Sequence, residues 1–246
     1  MGEGLDLERV LRDIEIAAQT HGWQIEKFHA SGNHPLLALT RRVANPKKRL
    51  YISTGIHGDE PAGPLAVLQL LQENRWPADV DIWLCPCLNP AGFTRNAREN
   101  ANGVDLNRQY LNPTAEETRA HINWLERQPS FDLCVCLHED WESQGFYLYE
   151  LNPDHQPSLA QRIIDRVAEI CPIDLSEMIE GRDAVRGIIS PIITPQTRPD
   201  WPEALYLLMY KTRLSYTVEA PSDYELKTRV AAEVAALRVV LESLEK

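Results

Sequence analysis

Apolar and polar residues are patterned in alternating blocks of helical and strand-like period along this chain. Leu7, Val10, Leu11, Ile14, Ala17 and Ala18 recur at helical spacing and predict an amphipathic helix over 6–19. Residues 23–29 and 36–43 read as an early pair of strands, and Asn45-Pro46-Lys47-Lys48 as a turn. A short strand at 50–54 follows, then a helix over 62–74 with Leu65, Leu68 and Leu71 on one stripe and Pro61 near its first turn. The next strand, 80–87, is broken by Asn89-Pro90-Ala91-Gly92. The polar stretch 96–112 reads as loop. Thr114 is placed to cap a helix through Gln128, with Glu117 in the capping-box position.

The run 131–138 is almost wholly apolar, as expected of a strand buried on both faces. Further helices are expected over 157–170 and 203–210, a strand over 214–218 ending at Glu219, and a closing Ala-rich helix over 225–244. Residues 172–202 are rich in Pro, Gly and Arg, with one apolar run at 187–193. Strands alternating with helices predict an α/β fold: a three-layer sandwich with a mixed, mostly parallel sheet covered by helices on both faces. With 246 residues and no visible repeat or linker, residues 1–246 are expected to form a single catalytic domain.

Composition changes this picture little, and charge narrows it. A formal net charge of −11 argues against nucleic acid or an anionic membrane face as partner. The first residues, MGEGLDLERV, carry acids where a secretion signal needs a basic start, and no run is long enough to span a membrane, so a cytoplasmic location is the expectation. The five cysteines include two C-x-C pairs, Cys85/Cys87 and Cys134/Cys136, inside apolar runs. Without the two-residue spacer of thiolate zinc sites, they are expected to be small core residues.

The chemistry gathers at the ends of predicted strands, where open α/β sheets collect their ligands. GIHGDEPAG sets His57 and Glu60 three residues apart just after a strand, and His138 closes the run FDLCVCLH. Two imidazoles and one carboxylate with a free fourth position is the donor set of a catalytic zinc ion. Arg98 to Arg108 and Glu219 also fall at strand ends or in the loops after them, and one shared pocket is expected.

Four stretches carry a resemblance: GIHGDEPAG, NPAGFTRNARENANGVDLNRQY, the Leu137-His138 strand end, and YTVEAPSD. Together, in this order, they resemble the zinc metallocarboxypeptidase family in its small bacterial branch near the murein peptide amidases. More distantly they are similar to the succinylglutamate desuccinylase and aspartoacylase group. The resemblance implies one Zn2+ held by His57, Glu60 and His138, with Glu219 moving the proton; Glu139 is a weaker rival for that role. It implies that Asn107 and Arg108 bind the free carboxylate of the substrate, that Arg98 polarises the scissile carbonyl, and that Asp105 orients a metal-bound imidazole. Arg95 lies close enough to Arg98 to be the counterpart instead.

The chain departs from the larger digestive members in HEDWESQGFYLYE, so their substrate-capping tyrosine has no fixed counterpart among Tyr147, Tyr149, Tyr206 and Tyr210. Arg182, Arg186 and Arg198 are expected in a loop rimming the pocket, free to read an acidic side chain or simply solvated. The expectation is a zinc hydrolase cleaving an amide or peptide bond next to a free carboxylate. An N-acyl amino acid deacylase is the alternative within the same fold, and a non-catalytic peptide- or metal-binding module the alternative outside catalysis.

Overall fold

A computed structural model of the chain describes residues 6–31, 34–195 and 198–245. Ten strands are seen among them: β1 (Gln24–Ser31), β2 (His34–Arg41), β3 (Lys48–Thr54), β4 (Val80–Cys85), β5 (Leu133–Asp140), β6 (Tyr147–Leu151), β7 (Met178–Ile179), β8 (Arg182–Asp183), β9 (Ile188–Ile189) and β10 (Ser215–Pro221). Seven helices accompany them: α1 (Leu7–Thr20), α2 (Ala62–Glu73), α3 (Pro90–Phe93), α4 (Glu116–Glu126), α5 (Ala160–Val167), α6 (Glu203–Tyr210) and α7 (Leu226–Leu244).

The main sheet runs β1-β2-β4-β3-β5-β10-β6-β9. Its centre, β4-β3-β5-β10, is parallel, and antiparallel pairing enters at β1/β2, β2/β4 and β10/β6. Period-2 side chains explain the layering. Leu50, Ile52, Leu133, Val135 and Leu137 join the core under α1, α2, α5 and α7. The alternate residues Tyr51, Cys134 and Cys136 join a second core with Trp124 and Leu125 of α4 and Leu205 and Leu207 of α6. A sheet buried on both faces is therefore flanked by helices, as the alternating pattern predicts. All five cysteines are buried and unbridged. Among the described residues, no helix is long and apolar enough to cross a membrane.

The first helix starts where Asp6 caps it, its carboxylate accepting from the Arg9 amide at 2.9 Å. The fourth begins differently from the capping-box expectation. Ala115 is its N-cap and no side chain caps it. Thr114 instead donates its amide and hydroxyl to Gln109 Oε1, at 2.9 and 2.7 Å, while Glu117 accepts from Asn100 at 3.1 Å. The helix expected over 157–170 contracts to α5, and the segment after β5 holds three strands that the apolar pattern does not mark. These are β6 and the β7–β8 hairpin, whose tip residues Glu180 and Gly181 both have positive φ.

Candidate functional site

Four parallel strands deliver the polar residues to one end of the sheet. The loop after β3 carries His57 and Glu60, the segment after β4 carries Arg98 to Arg108, β5 carries His138 and Glu139 just before its end, and β10 carries Glu219. The loop after β3 lies tightly on the segment after β4. A Cβ on Gly58 would overlap the backbone of Gly92 and Phe93, so only glycine fits there. The Gly58 amide donates to the Arg98 carbonyl at 3.3 Å, which pins Arg98 beside Glu60.

Glu60 lies between two imidazoles. His57 Nδ1 is 2.6 Å from Oε1, His138 Nδ1 is 3.0 Å from Oε2, and the rings are 5.0 Å apart. All three side chains are buried, and one donor atom from each lies within 4.8 Å of the others. Asp105 Oδ1 is 3.3 Å from His57 Nε2, and its Oδ2 accepts from Arg98 Nε and Nη2 at 3.3 and 3.1 Å. A carboxylate can only accept, so without a cation both His57 nitrogens donate, Nδ1 to Glu60 and Nε2 to Asp105; Asp105 would keep the Nε2 proton when a cation takes the place of the proton on Nδ1.

The electrostatics favour a positive charge at this point. Burial alone would lower His57, but the charge of Glu60 and bonds to Asp105 and Glu60 lift it to about 9. Burial would raise Glu60, yet His57 and His138 bring it down to about 2. Burial would likewise lower His138, and Glu60 raises it. Without a metal, the carboxylate is thus balanced by protons on the imidazoles. A divalent cation would take their place and release them, with neutral nitrogens and one oxygen as donors. The donor set fits such an ion, and two imidazoles with a carboxylate suit zinc chemistry.

Around this cluster is a cavity of about 450 Å3 lined by His57, Glu60, Arg98, Asn107, Arg108, His138 and Glu219 among others. Glu219 stands opposite His138 in the β10–β5 register, on the same face of the sheet. Burial pushes its carboxyl well above the usual range, against the opposing pull of His138. Arg98 reaches Glu60 at 3.6 Å, whereas Arg95 turns away and donates to the Ala91 carbonyl at 2.9 Å. Of the two arginines, Arg98 lines the cavity. Glu139 is committed elsewhere, accepting from the Ala62 amide at 2.6 Å and from Arg229.

Asn107 is held from behind. Its backbone amide donates to Asp105 Oδ1 at 2.9 Å, and its side-chain oxygen accepts from the Glu203 amide at 2.8 Å, leaving the NH2 without a partner among the described residues. Arg108 is exposed, and its guanidinium donates only to the neighbouring Asn107 carbonyl among the described residues. Tyr149, Arg182 and Arg198 also line the cavity; Tyr147, Tyr206, Tyr210 and Arg186 do not. Tyr149 is bonded to Glu180 at the hairpin tip. Trp141 lines the mouth and is 69% exposed, a position no periodicity in the sequence marks.

Behind Asn107 runs a buried chain of hydrogen bonds. The Tyr51 and Ser53 hydroxyls donate to the two Glu203 oxygens at 2.9 Å each, Tyr51 meets His121 Nε2 at 2.9 Å, and Tyr110 meets His121 Nδ1 at 2.7 Å. One proton per hydroxyl closes the chain: Tyr110 to His121, His121 to Tyr51, Tyr51 to Glu203, with a neutral ring. Burial lowers His121 from its ordinary 6.5 to about 3. The unfolded chain therefore takes up a proton below pH 6.5 that the folded chain refuses. Stability from this group is whole above 6.5 and is lost as pH falls from there towards 3. By pH 5 the loss is about 2 kcal/mol. Urea midpoints at pH 7.5 and 5 check this, and the drop should shrink in His121→Gln by that amount.

Comparison with known proteins adds a lineage. Residues 46–176, just over half of the chain, match the model of the succinylglutamate desuccinylase/aspartoacylase catalytic domain. Carboxypeptidase SOL1 of Arabidopsis thaliana is 35% identical over 107 residues, covering 34% of this chain and 21% of that protein. Carboxypeptidase 2 of Trichophyton rubrum is 35% identical over 122 residues, covering 45% of this chain and 22% of that protein. The chain thus spans about a fifth of the length of these curated relatives. Among solved structures, a candidate metallopeptidase of Shewanella amazonensis SB2B superposes with a TM-score of 0.84 at 24% identity, covering 98% of this chain and 94% of the other. That last likeness establishes a shared fold. Glu219 lies beyond the matched stretch 46–176.

Proposed function

The chain belongs to the succinylglutamate desuccinylase/aspartoacylase catalytic-domain family, and from that membership we propose that it is a zinc-dependent hydrolase, its whole length acting as one catalytic domain, that cleaves an amide bond next to a free carboxylate. The observation that carries the reading is the gathering of His57, Glu60 and His138 within 4.8 Å in a cavity that also presents Glu219, Arg98, Asn107 and Arg108. A bound zinc ion supplies an acidified water and a polarised carbonyl.

The protein side chains do the rest. Glu219 takes the proton of the attacking water and returns it to the leaving amine. Arg98, tethered by Asp105, gives its remaining N–H to the oxygen on which charge develops. Asn107 donates its NH2, and Arg108 its guanidinium, to the substrate carboxylate. Asp105 keeps the His57 ring in the tautomer that offers Nδ1.

Arg108 makes no ion pair with another described residue, so its charge is free for an anion. Arg108→Ala is expected to raise KM about 10- to 100-fold with kcat little changed, the worth of one charge-assisted bond made equally in ground and transition states. Steady-state kinetics on a carboxylate substrate check this, and an unchanged KM removes Arg108 from recognition.

The family match supports a second reading of the same site, an N-acyl amino acid deacylase, in which the bond cut joins a short acyl group to an amino acid. Arg182 and Arg198 on the cavity wall, which form no ion pair with another described residue, suit a further anionic group on the substrate. Zinc-loaded protein assayed on C-terminal peptides, muropeptide fragments and N-acyl amino acids separates the readings. Hydrolysis of none of these by a zinc-replete sample would point instead to a binding module.

A further inference from the structure

The segments that carry His57, Glu60, His138 and Glu219 converge on one buried ion pair that the mechanism does not use. Glu139 directly follows His138, and its side chain is wholly buried. Its Oε1 accepts from the amide of Ala62, the first residue of α2 and two residues beyond Glu60. Its other oxygen accepts from Arg229 Nη1 of α7. The same guanidinium donates through Nε to the Tyr224 carbonyl at 2.9 Å, in the turn that follows Glu219 and β10. The Arg229 side chain is 14% exposed, so both bonds are shielded from water.

We propose that the Glu139–Arg229 pair is a positioning clamp that sets the separation of His57 and Glu60 from His138 and holds the Glu219 strand end beside them. The physical case rests on reach. His138 and Glu60 lie 78 residues apart in sequence and meet through a hydrogen bond of 3.0 Å. No bond other than Glu139 Oε1 to Ala62 N ties the backbone just after one to the backbone just after the other among the described hydrogen bonds. Metal affinity depends steeply on ligand geometry, and partners outside the ligand set that fix it are worth about 10- to 100-fold. Arginine suits the post because its planar fork serves a carboxylate and a carbonyl at once, which an ammonium on a flexible stem does not.

The inference rests on the metal-binding reading above, and its test keeps the two apart. Zinc affinity is measured by competition with a chromogenic chelator for the unmodified chain, Glu139→Gln and Arg229→Lys, well below the melting temperature of each. Arg229→Lys keeps the charge and loses the two-way bridge; Glu139→Gln keeps the shape and the acceptor for Ala62 and loses the partner of Arg229. Both are expected to bind zinc about 10- to 100-fold more weakly than the unmodified chain while the metal-free variants retain its circular dichroism. Unmodified affinity in both variants overturns the clamp. An unmodified chain that binds no zinc overturns the hydrolase reading itself. If Glu139→Gln fails to fold, Arg229→Lys alone decides.

Discussion

Glu219→Gln is expected to lower turnover by about 10²- to 10⁴-fold while zinc binding stays as it was. The substitution changes one atom of the side chain and nothing of its size, and Glu219 is not one of the three donors around the metal position. What it removes is the ability to accept a proton. Glu219 is the acid proposed for this task because it lines the cavity beside His138, across the β10–β5 register, and its carboxyl makes no hydrogen bond to another described residue. Glu139, its neighbour in space and its rival from sequence, has both oxygens engaged by Ala62 and Arg229. The check is kcat together with zinc content on the same preparations. Equal turnover in the two proteins takes Glu219 out of the chemistry, and loss of zinc along with turnover would make it a ligand.

The parts of this molecule that can be read from the chain are those in which local chemistry and tertiary context agree. The runs ending at Thr54, His138 and Glu219 are buried on both faces because they lie in the middle of the sheet, and their length fixes them as strands. A polar residue at the end of such a run stands out, which is why His57, His138 and Glu219 can be picked from sequence at all. Where a residue's partner is distant, the local pattern misleads. Thr114 and Glu117 have capping-box spacing, but Gln109 and Asn100 hold them instead, so the helix starts at Glu116. Arg95 and Arg98 look equivalent along the loop. They are separated by a contact from 40 residues away, the Gly58 amide on the Arg98 carbonyl, and by the pull of Asp105. Strands β6 to β9 are only two to five residues long, too short to set up a period, although Tyr147, Leu148, Ile179 and Ile189 in them are buried. Glu139 reads as a spare acid until Arg229, 90 residues on, is seen against it.

His138→Ala is expected to lose stoichiometric zinc binding, and with it both activity and the stabilisation that zinc confers. Removing the imidazole leaves His57 and Glu60, two donors where a catalytic ion needs three. It also leaves buried Glu60 with one hydrogen-bonded imidazole in place of two, since His138 Nδ1 supplies the bond to Oε2. On the proposed reading zinc binds a cluster already formed in the folded protein, so free zinc at about a thousand times Kd is expected to stabilise it by about 4 kcal/mol. For a chain of this size that is a rise of about 10 °C in Tm. Metal analysis after dialysis and thermal melting with and without zinc test both arms. The unmodified chain should hold one equivalent and melt higher with zinc, while His138→Ala should hold less than about a tenth of that and show no zinc-dependent shift. Retention of one equivalent at undiminished affinity would place the metal on another set of donors. Set beside Glu219→Gln, the outcome also separates two ways of being inactive: one variant keeps the ion and cannot move the proton, and the other has a base at Glu219 with no ion to work beside.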